Sequence, residues 1–202
     1  MTTGKGTAMT PSSPDRSLDE AKVKAFTQRM ITHFTGASAV LMVEVGRQAG
    51  LFEAMAGMAP ATSVAIAERT GLTERYVREW LGAMVCSRIV EYDPAARTYA
   101  LPPEHAPLVT GEGSRNLSTL AAMFPLLSRV VPELLEAFRR GGGVPYGRFQ
   151  PDFTGLMDGR SRPRYRELLF PKYLGSVEGL VGRLEAGARV ADIGCGTGFC
   201  VT

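Results

Sequence analysis

Apolar residues recur along this chain at helical spacing almost from its start. Ser17-Leu-Asp-Glu20 reads as a capping box with two acids in the first turn. Behind it Val23, Phe26, Met30 and Phe34 form one apolar face of an amphipathic helix that is predicted to end near Gly36. A second helix is predicted over about residues 38–49. It is apolar nearly all round (Val40, Leu41, Met42, Val43, Val45), so it must be buried, and a small domain needs a partner to bury it. Gly50-Leu51-Phe52 then opens a short helical turn through Met55.

The next stretch has a defined order. Thr62-Ser63 caps a short helix through Thr70, Gly71-Leu72 turns the chain, and Thr73 caps a longer helix with Val77, Leu81, Met84 and Val85 inward. Two strand-like pieces follow, residues 89–92 and 98–101, joined by Asp93-Pro94-Ala95-Ala96-Arg97. Helix, turn, helix and hairpin make a winged helix-turn-helix. Such a module can bind DNA through Arg75, Tyr76 and Arg78 on its second helix. Glu74 and Glu79 share that helix and repel phosphates, and the hairpin loop offers only Arg97. A scaffold for dimerisation and for covering a pocket is the favoured reading; DNA is not.

Beyond Pro102-Pro103, a loop over residues 104–115 leads to a long apolar helical region. Leu117, Leu120, Ala121 and Phe124 give one face, and Leu127, Val130, Leu134, Leu135 and Phe138 continue it. Pro125 and Pro132 should kink or divide it, and Gly141-Gly142-Gly143 stops it behind Arg139-Arg140. Residues 144–163 read as a loop carrying Tyr146, Phe149, Phe153 and Met157. These side chains either line an apolar substrate pocket or staple the loop to the core. A last helix is predicted over about residues 165–184, with Leu168, Leu169, Val177, Leu180, Val181 and Leu184 inward.

Composition narrows the class without deciding function. The 202 residues are 45% hydrophobic and 21% charged, ordinary for a soluble globular chain. The polar, Gly/Ser/Thr/Pro-rich residues 1–16 lack the apolar segment of a signal peptide. They read as a disordered tail, and no apolar run is long enough to span a bilayer, so a cytoplasmic location is expected. Three cysteines (Cys86, Cys195, Cys200) and two distant histidines (His33, His105) fit no zinc framework and no triad; no metal is expected. Cys86 is predicted buried and His33 structural. A net charge of +3 permits nucleic-acid contact but does not argue for it.

The strongest chemical signal is RVADIGCGTG, from Arg189 to Gly198. Val190 to Ile193 reads as a buried parallel strand, and glycines after it allow positive φ and close approach of backbone amides to a ligand. Dinucleotide folds use G-x-G-x-x-G; here the pattern is G-x-G-x-G, with Phe199 where the last glycine would fall. There is no G-K-[ST]. Asp192, before the first glycine, disfavours phosphate and suits a ligand with an ammonium group.

These residues resemble the first motif of class I S-adenosylmethionine (SAM) methyltransferases. The resemblance implies that Gly194, Cys195, Gly196 and Gly198 form the turn beside the methionine part of SAM and that Asp192 faces its amino group. The pieces GLFEAM, IAERTGLTERYVREWLGAMV, GGGVPY and VEGLVGRLEAGARVADIGCGTG together resemble winged-helix methyltransferases, in particular a bacterial group related to plant-type O-methyltransferases. Coverage is roughly residues 17–202, aligned to the family's N-terminal half.

The fold class expected is therefore mainly α. A helical and winged-helix domain (17–110) with a small hairpin wing precedes linker helices and a pocket loop (111–163). Residues 164–202 begin an α/β Rossmann-like SAM domain and hold its first strand. The resemblance implies a small-molecule methyl acceptor and a homodimer through the N-terminal helices. It places the ribose-binding acid and the catalytic residues beyond residue 202. The chain is accordingly expected to be truncated and not competent alone, to hold residues from about 189 onward poorly, and to bind SAM weakly or not at all.

Overall fold

The computed structural model describes residues 18–200. The expected tail and Ser17 of the expected capping box lie outside them. The chain divides into two units, one ending at Thr35 and the other beginning at Gly36.

In the first unit the cap is Asp19, whose Oδ1 accepts from the N–H groups of Ala21 and Lys22 at 3.1 and 3.2 Å. Helix α1 (Glu20–Gln48) starts there. Its residues up to Thr35 are exposed apart from a half-buried Met30, and Val23, Phe26, Ile31 and Phe34 all stand in solvent. His33 is exposed too.

The helix does not end at Gly36 as predicted. A glycine costs about 1 kcal/mol in a helix interior. Gly36 adopts no left-handed cap, and Ala37 and Ala39 beside it favour the helix. The expected second helix is thus the C-terminal part of α1, and it is buried on one side only: Glu44 and Gly46 are fully covered and Met42, Val43 and Ala49 pack half-buried against the core, while Leu41 and Val45 are exposed.

The core of the second unit is the winged module. Gly50 (φ 69°) turns the chain into α2 (Leu51–Met55), whose Leu51, Phe52 and Met55 are buried. Thr62 caps α3 (Ser63–Thr70) by accepting from Ala65 N–H at 3.3 Å, as expected. Gly71 (φ 69°) ends α3, and Leu72 N–H returns to Ala67 O. Helix α4 (Glu74–Cys86) buries Val77, Trp80, Leu81 and Met84 against α2 and α3. Ser63 Oγ donates to Glu74 Oε1 at 2.6 Å and ties the two helices of the turn together. Cys86, the last residue of α4, is exposed rather than buried, because the helix face there has already turned outward.

The wing is β1 (Glu91–Asp93) paired antiparallel with β2 (Thr98–Ala100), in the register Tyr92 opposite Tyr99. Its turn is set by Asp93 Oδ1, which accepts from the N–H groups of Ala95 and Ala96, and by Arg97 at φ 56°. Tyr99 also bridges Ala61 ahead of α3. Val90 and Leu101, at the foot of the hairpin, complete the core, and His105 Nδ1 lies 2.9 Å from Ile89 O.

The rest departs further from expectation. The 104–115 loop contains a short helix, α5 (Ala106–Val109). The long apolar region is a 3-10 turn (Ser118–Ala122), α6 (Met123–Ser128) and α7 (Val131–Arg140), bent by 55° at residues 129–130. Pro132 sits in the first turn of α7, where its missing N–H costs nothing, so the division falls just before it. Of the predicted inward face only Ala121 and Val130 are fully buried; Leu117, Phe124, Leu127, Leu134, Leu135 and Phe138 are exposed.

Residues 144–163 are not a loop: Tyr146–Phe149 form a 3-10 turn, and α8 (Asp152–Leu168) begins at Asp152. The predicted 165–184 helix breaks up into the end of α8, a π-helical turn (Leu169–Leu174) holding Pro171, and α9 (Leu180–Glu185) after Gly179 at φ 69°. Phe170 and Val177 are exposed. Val190–Ile193 is not a strand; among the described residues the hairpin is the whole of the sheet structure. With no neighbouring strand to pair with, Val190 and Ile193 stand 63% and 93% exposed. Among the described residues no single helix is long and apolar enough to cross a membrane; only the bent α6–α7 pair, with the 3-10 turn before it, reaches that length together.

Candidate functional site

The glycine turn takes the backbone conformation its spacing called for. Gly194, Gly196 and Gly198 have φ of 80°, 57° and 80°, a region that L side chains rarely adopt. A Cβ at any of them would meet nothing within 4 Å, so the glycines are required by conformation and not by crowding. Gly198 N–H donates to Cys195 O at 2.9 Å and closes the turn. Asp192 and Cys195 are exposed.

Two contacts fasten this turn to α8. Thr197 Oγ1 donates to Asp158 Oδ1, and Asp158 Oδ2 accepts from Arg162 at 2.8 Å. The Thr197 hydroxyl and then the Arg162 guanidinium hold the Asp158 carboxyl below its ordinary range. The ring of Phe199 lies under two cations, Arg162 at 4.4 Å and Arg166 at 5.5 Å. Partial burial, and then the charge of Asp192, push the Cys200 thiol upward.

Two clefts adjoin α8. The first, of about 840 Å³, is lined by α8, by residues 111–119 and by Arg47 and Glu53. Its rim is tied down from several sides. Gly111 N–H donates to Glu53 Oε1 at 2.8 Å, Asn116 Nδ2 to Gly111 O at 2.8 Å, and Ser114 N–H and Oγ to Glu167. The Ser114 hydroxyl, then its N–H, lower the Glu167 pKa. The second cleft, of about 880 Å³, is more apolar, with Leu169, Phe170, Leu180 and Leu184 on its walls and Val190, Ala191, Phe199 and Cys200 closing it beside the glycine turn. Asp192, Gly194, Cys195, Gly196 and Gly198 line neither cleft.

The aromatic set is brought together, but mostly with itself. The Phe153 ring packs edge-on to Tyr146 at 6.0 Å and near Phe149 at 6.3 Å. Only Met157, one turn further along α8, reaches a cleft, the first. The aromatics therefore staple the 3-10 turn to α8. The residues the sequence reading missed are the arginines of α8, although GRSRPRYRE announces them at every second position. Among the described residues no three His, Cys, Asp or Glu side chains gather where they could hold a metal ion.

A helix-turn-helix with a two-stranded wing, followed by helices and a glycine turn, defines the class. Residues 37–111 match the family model described as the Rv2258c-like winged HTH domain. No curated protein matches the chain. Among solved structures, the mitomycin 7-O-methyltransferase MmcR is similar over 72% of this chain and 46% of its own, with 18% identity and a TM-score of 0.55. The structure described as PigF with SAH is similar over 79% of this chain and 53% of its own, with 13% identity and a TM-score of 0.54. This chain thus spans about half the length of these structures, and at such identities the likeness is one of fold.

Proposed function

We propose that the chain is part of a SAM-dependent methyltransferase acting on a small-molecule acceptor. The observation that carries this reading is the turn itself: an acid at residue 192 followed by three glycines, all at positive φ, at G-x-G-x-G spacing. Asp192 would hold the ammonium of SAM's methionine part, and the turn's free amides its carboxylate. The fold shared with a mitomycin 7-O-methyltransferase supports it. The methyl group would pass from the sulfonium to an acceptor nucleophile by in-line displacement, with positioning and exclusion of water as the protein's share. The helices of the N-terminal region would form a homodimer.

Ligand-observed NMR with SAM tests the reading. SAM is expected to contact the chain more weakly than micromolar or not at all, because residues 190–193 have no strand partner among the described residues to hold the turn. Asp192→Asn should abolish that contact. A contact indifferent to the substitution overturns the assignment, and micromolar affinity overturns the expectation of weak binding.

The DNA-binding alternative gains little from the exposed face of α4. Arg75 and Tyr76 are in solvent, but the Arg78 guanidinium is 3.7 Å from Glu74, and Glu79 stands beside them. Salt-dependent DNA binding lost on replacing Arg75 and Arg78 would revive it.

A further inference from the structure

Arg160, Arg162, Arg164 and Arg166 all line the first cleft, together with Arg47. Two carboxylates, Glu53 and Glu112, share the lining. The positive charges are unevenly answered. Arg47 is held by Glu44 at 2.8 Å, and Arg162 by Asp158 at 2.8 Å. Arg166 is only loosely matched, 3.8 Å from a Glu112 that is itself almost wholly in solvent. Arg164 meets a neutral group, the Tyr173 hydroxyl, at 2.9 Å. Arg160 has no carboxylate partner among the described residues.

This arrangement disfavours its own helix. Arg160 and Arg164 are four residues apart on α8, as are Arg162 and Arg166, and like charges at that spacing repel. Among the described residues no ion pair joins Glu53 to these arginines, and its Oε1 is turned to Gly111 N–H. An anion in the cleft would answer charges that the described protein leaves open. Guanidinium groups suit planar oxyanions, which they can grip with paired N–H donors. The cleft's volume is that of a small-molecule site, and Met157, Pro163 and Leu168 give an organic body apolar surface to lie on.

We propose that this cleft binds a small organic molecule through a carboxylate or phosphate group held by Arg160 and Arg164. As an identification of the methyl acceptor's class, this rests on the methyltransferase reading; as a binding site, it rests on the cleft alone.

Ligand-observed NMR on the 202-residue chain decides it, with benzoate, phenyl phosphate and benzyl alcohol as probes. At least one of the two anions should bind, which of them binds better naming the oxyanion, and that binding should weaken as salt is raised. Benzyl alcohol should not bind. Arg160→Gln with Arg164→Gln should weaken the anion by about tenfold or more at unchanged melting temperature, because both side chains are exposed. Arg139→Gln with Arg140→Gln, outside the cleft, is the matched control and should change nothing. Benzyl alcohol binding as tightly as benzoate, failure of both anions at low salt, or indifference to the Arg160/Arg164 pair overturns the site. Displacement of benzoate by SAM overturns the acceptor assignment, since the anion would then be the cofactor's own. Benzoate binding beside a SAM contact that is indifferent to Asp192→Asn leaves the anion site standing and sinks the methyltransferase reading alone.

Discussion

Gly46 of α1 lies flat against the indole of Trp80 of α4. A Cβ at Gly46 would sit 2.4 Å from Trp80 Cζ2 and 2.7 Å from Nε1. One turn earlier, Met42 O accepts the indole N–H at 2.8 Å. On its other side Trp80 meets the Phe52 ring edge-on at 5.0 Å. The C-terminal part of α1 is thus bound to the winged module through one aromatic ring and one missing side chain.

Gly46→Ala should therefore destabilise the fold, although glycine to alanine in a helix interior ordinarily gains about 1 kcal/mol. Overpacking a rigid ring costs about 1–3 kcal/mol, and a contact this short belongs at the upper end, so the net loss should be about 2 kcal/mol. Urea unfolding followed by far-UV circular dichroism, which does not depend on Trp80, the chain's sole tryptophan, reads it in every variant. Adding Trp80→Phe removes the clashing atoms, so the double variant should lose less than the sum of the two single ones. Strict additivity would show that the two residues do not touch.

One turn before Gln48 on the same helix, Glu44 is 6% exposed and fully engaged. Arg47 donates to both its oxygens at 2.8 Å, and Gln48 Nε2 to Oε1 at 2.6 Å. Burial pushes its pKa up, but the hydrogen bonds from Arg47 and Gln48 outweigh it and leave the carboxyl below its ordinary value. A carboxylate depressed in the folded state adds stability above its unfolded pKa, about 4.3, and that stability is lost as pH falls through the folded value. The melting temperature should thus decline in acid, and Glu44→Gln should flatten the decline while costing about 1.5–3 kcal/mol at neutral pH. An unchanged acid slope in Glu44→Gln would assign the decline to other carboxylates.

Val190–Ile193 makes no backbone hydrogen bond to another described residue, and its apolar side chains are in solvent. Hydrogen exchange should be close to unprotected there, while Leu81 and Met84, in the middle of the core, should exchange slowest. The glycine turn should show intermediate behaviour, because Thr197 and Phe199 anchor it to α8. Slow exchange at Val190–Ile193 would mean that this run has found a strand partner.

The winged module was legible in the sequence because its signals are local: Thr62 as a cap, Gly71 at positive φ, and Val77, Leu81 and Met84 at helical spacing. The glycine turn was legible for the same reason, since φ is a property of single residues. What was not legible depends on distant pairs. Trp80 was overlooked because its partners, Gly46 and Phe52, lie 34 and 28 residues away. The arginine cleft joins α8 to a loop some 50 residues earlier, bridged by Ser114 and Glu167. Periodicity also promised burial it could not guarantee: Leu134 and Phe138 keep the right spacing on α7 yet are exposed, because no described element covers them.

The apolar face of α1 leads to the last prediction. Over its first half Val23, Phe26 and Ile31 are 42%, 57% and 51% exposed; over its second half Leu41 and Val45 are 44% and 48% exposed. A helix of this length takes most of its stability from packing such a face, and here just two of its 29 residues are buried, neither of them a large apolar side chain. Two copies of the same helix provide matching apolar surfaces, and a two-fold pairing closes without leaving a further sticky edge. The chain should therefore sediment as a dimer at micromolar concentration. Phe26→Glu with Leu41→Glu should shift it to monomer by burying like charges at the contact, and should lower the helicity of α1 in circular dichroism. The winged core should keep its cooperative unfolding, since neither side chain belongs to it. A native chain that sediments as a monomer across the concentration range would refute the pairing. So would a double variant that remains dimeric.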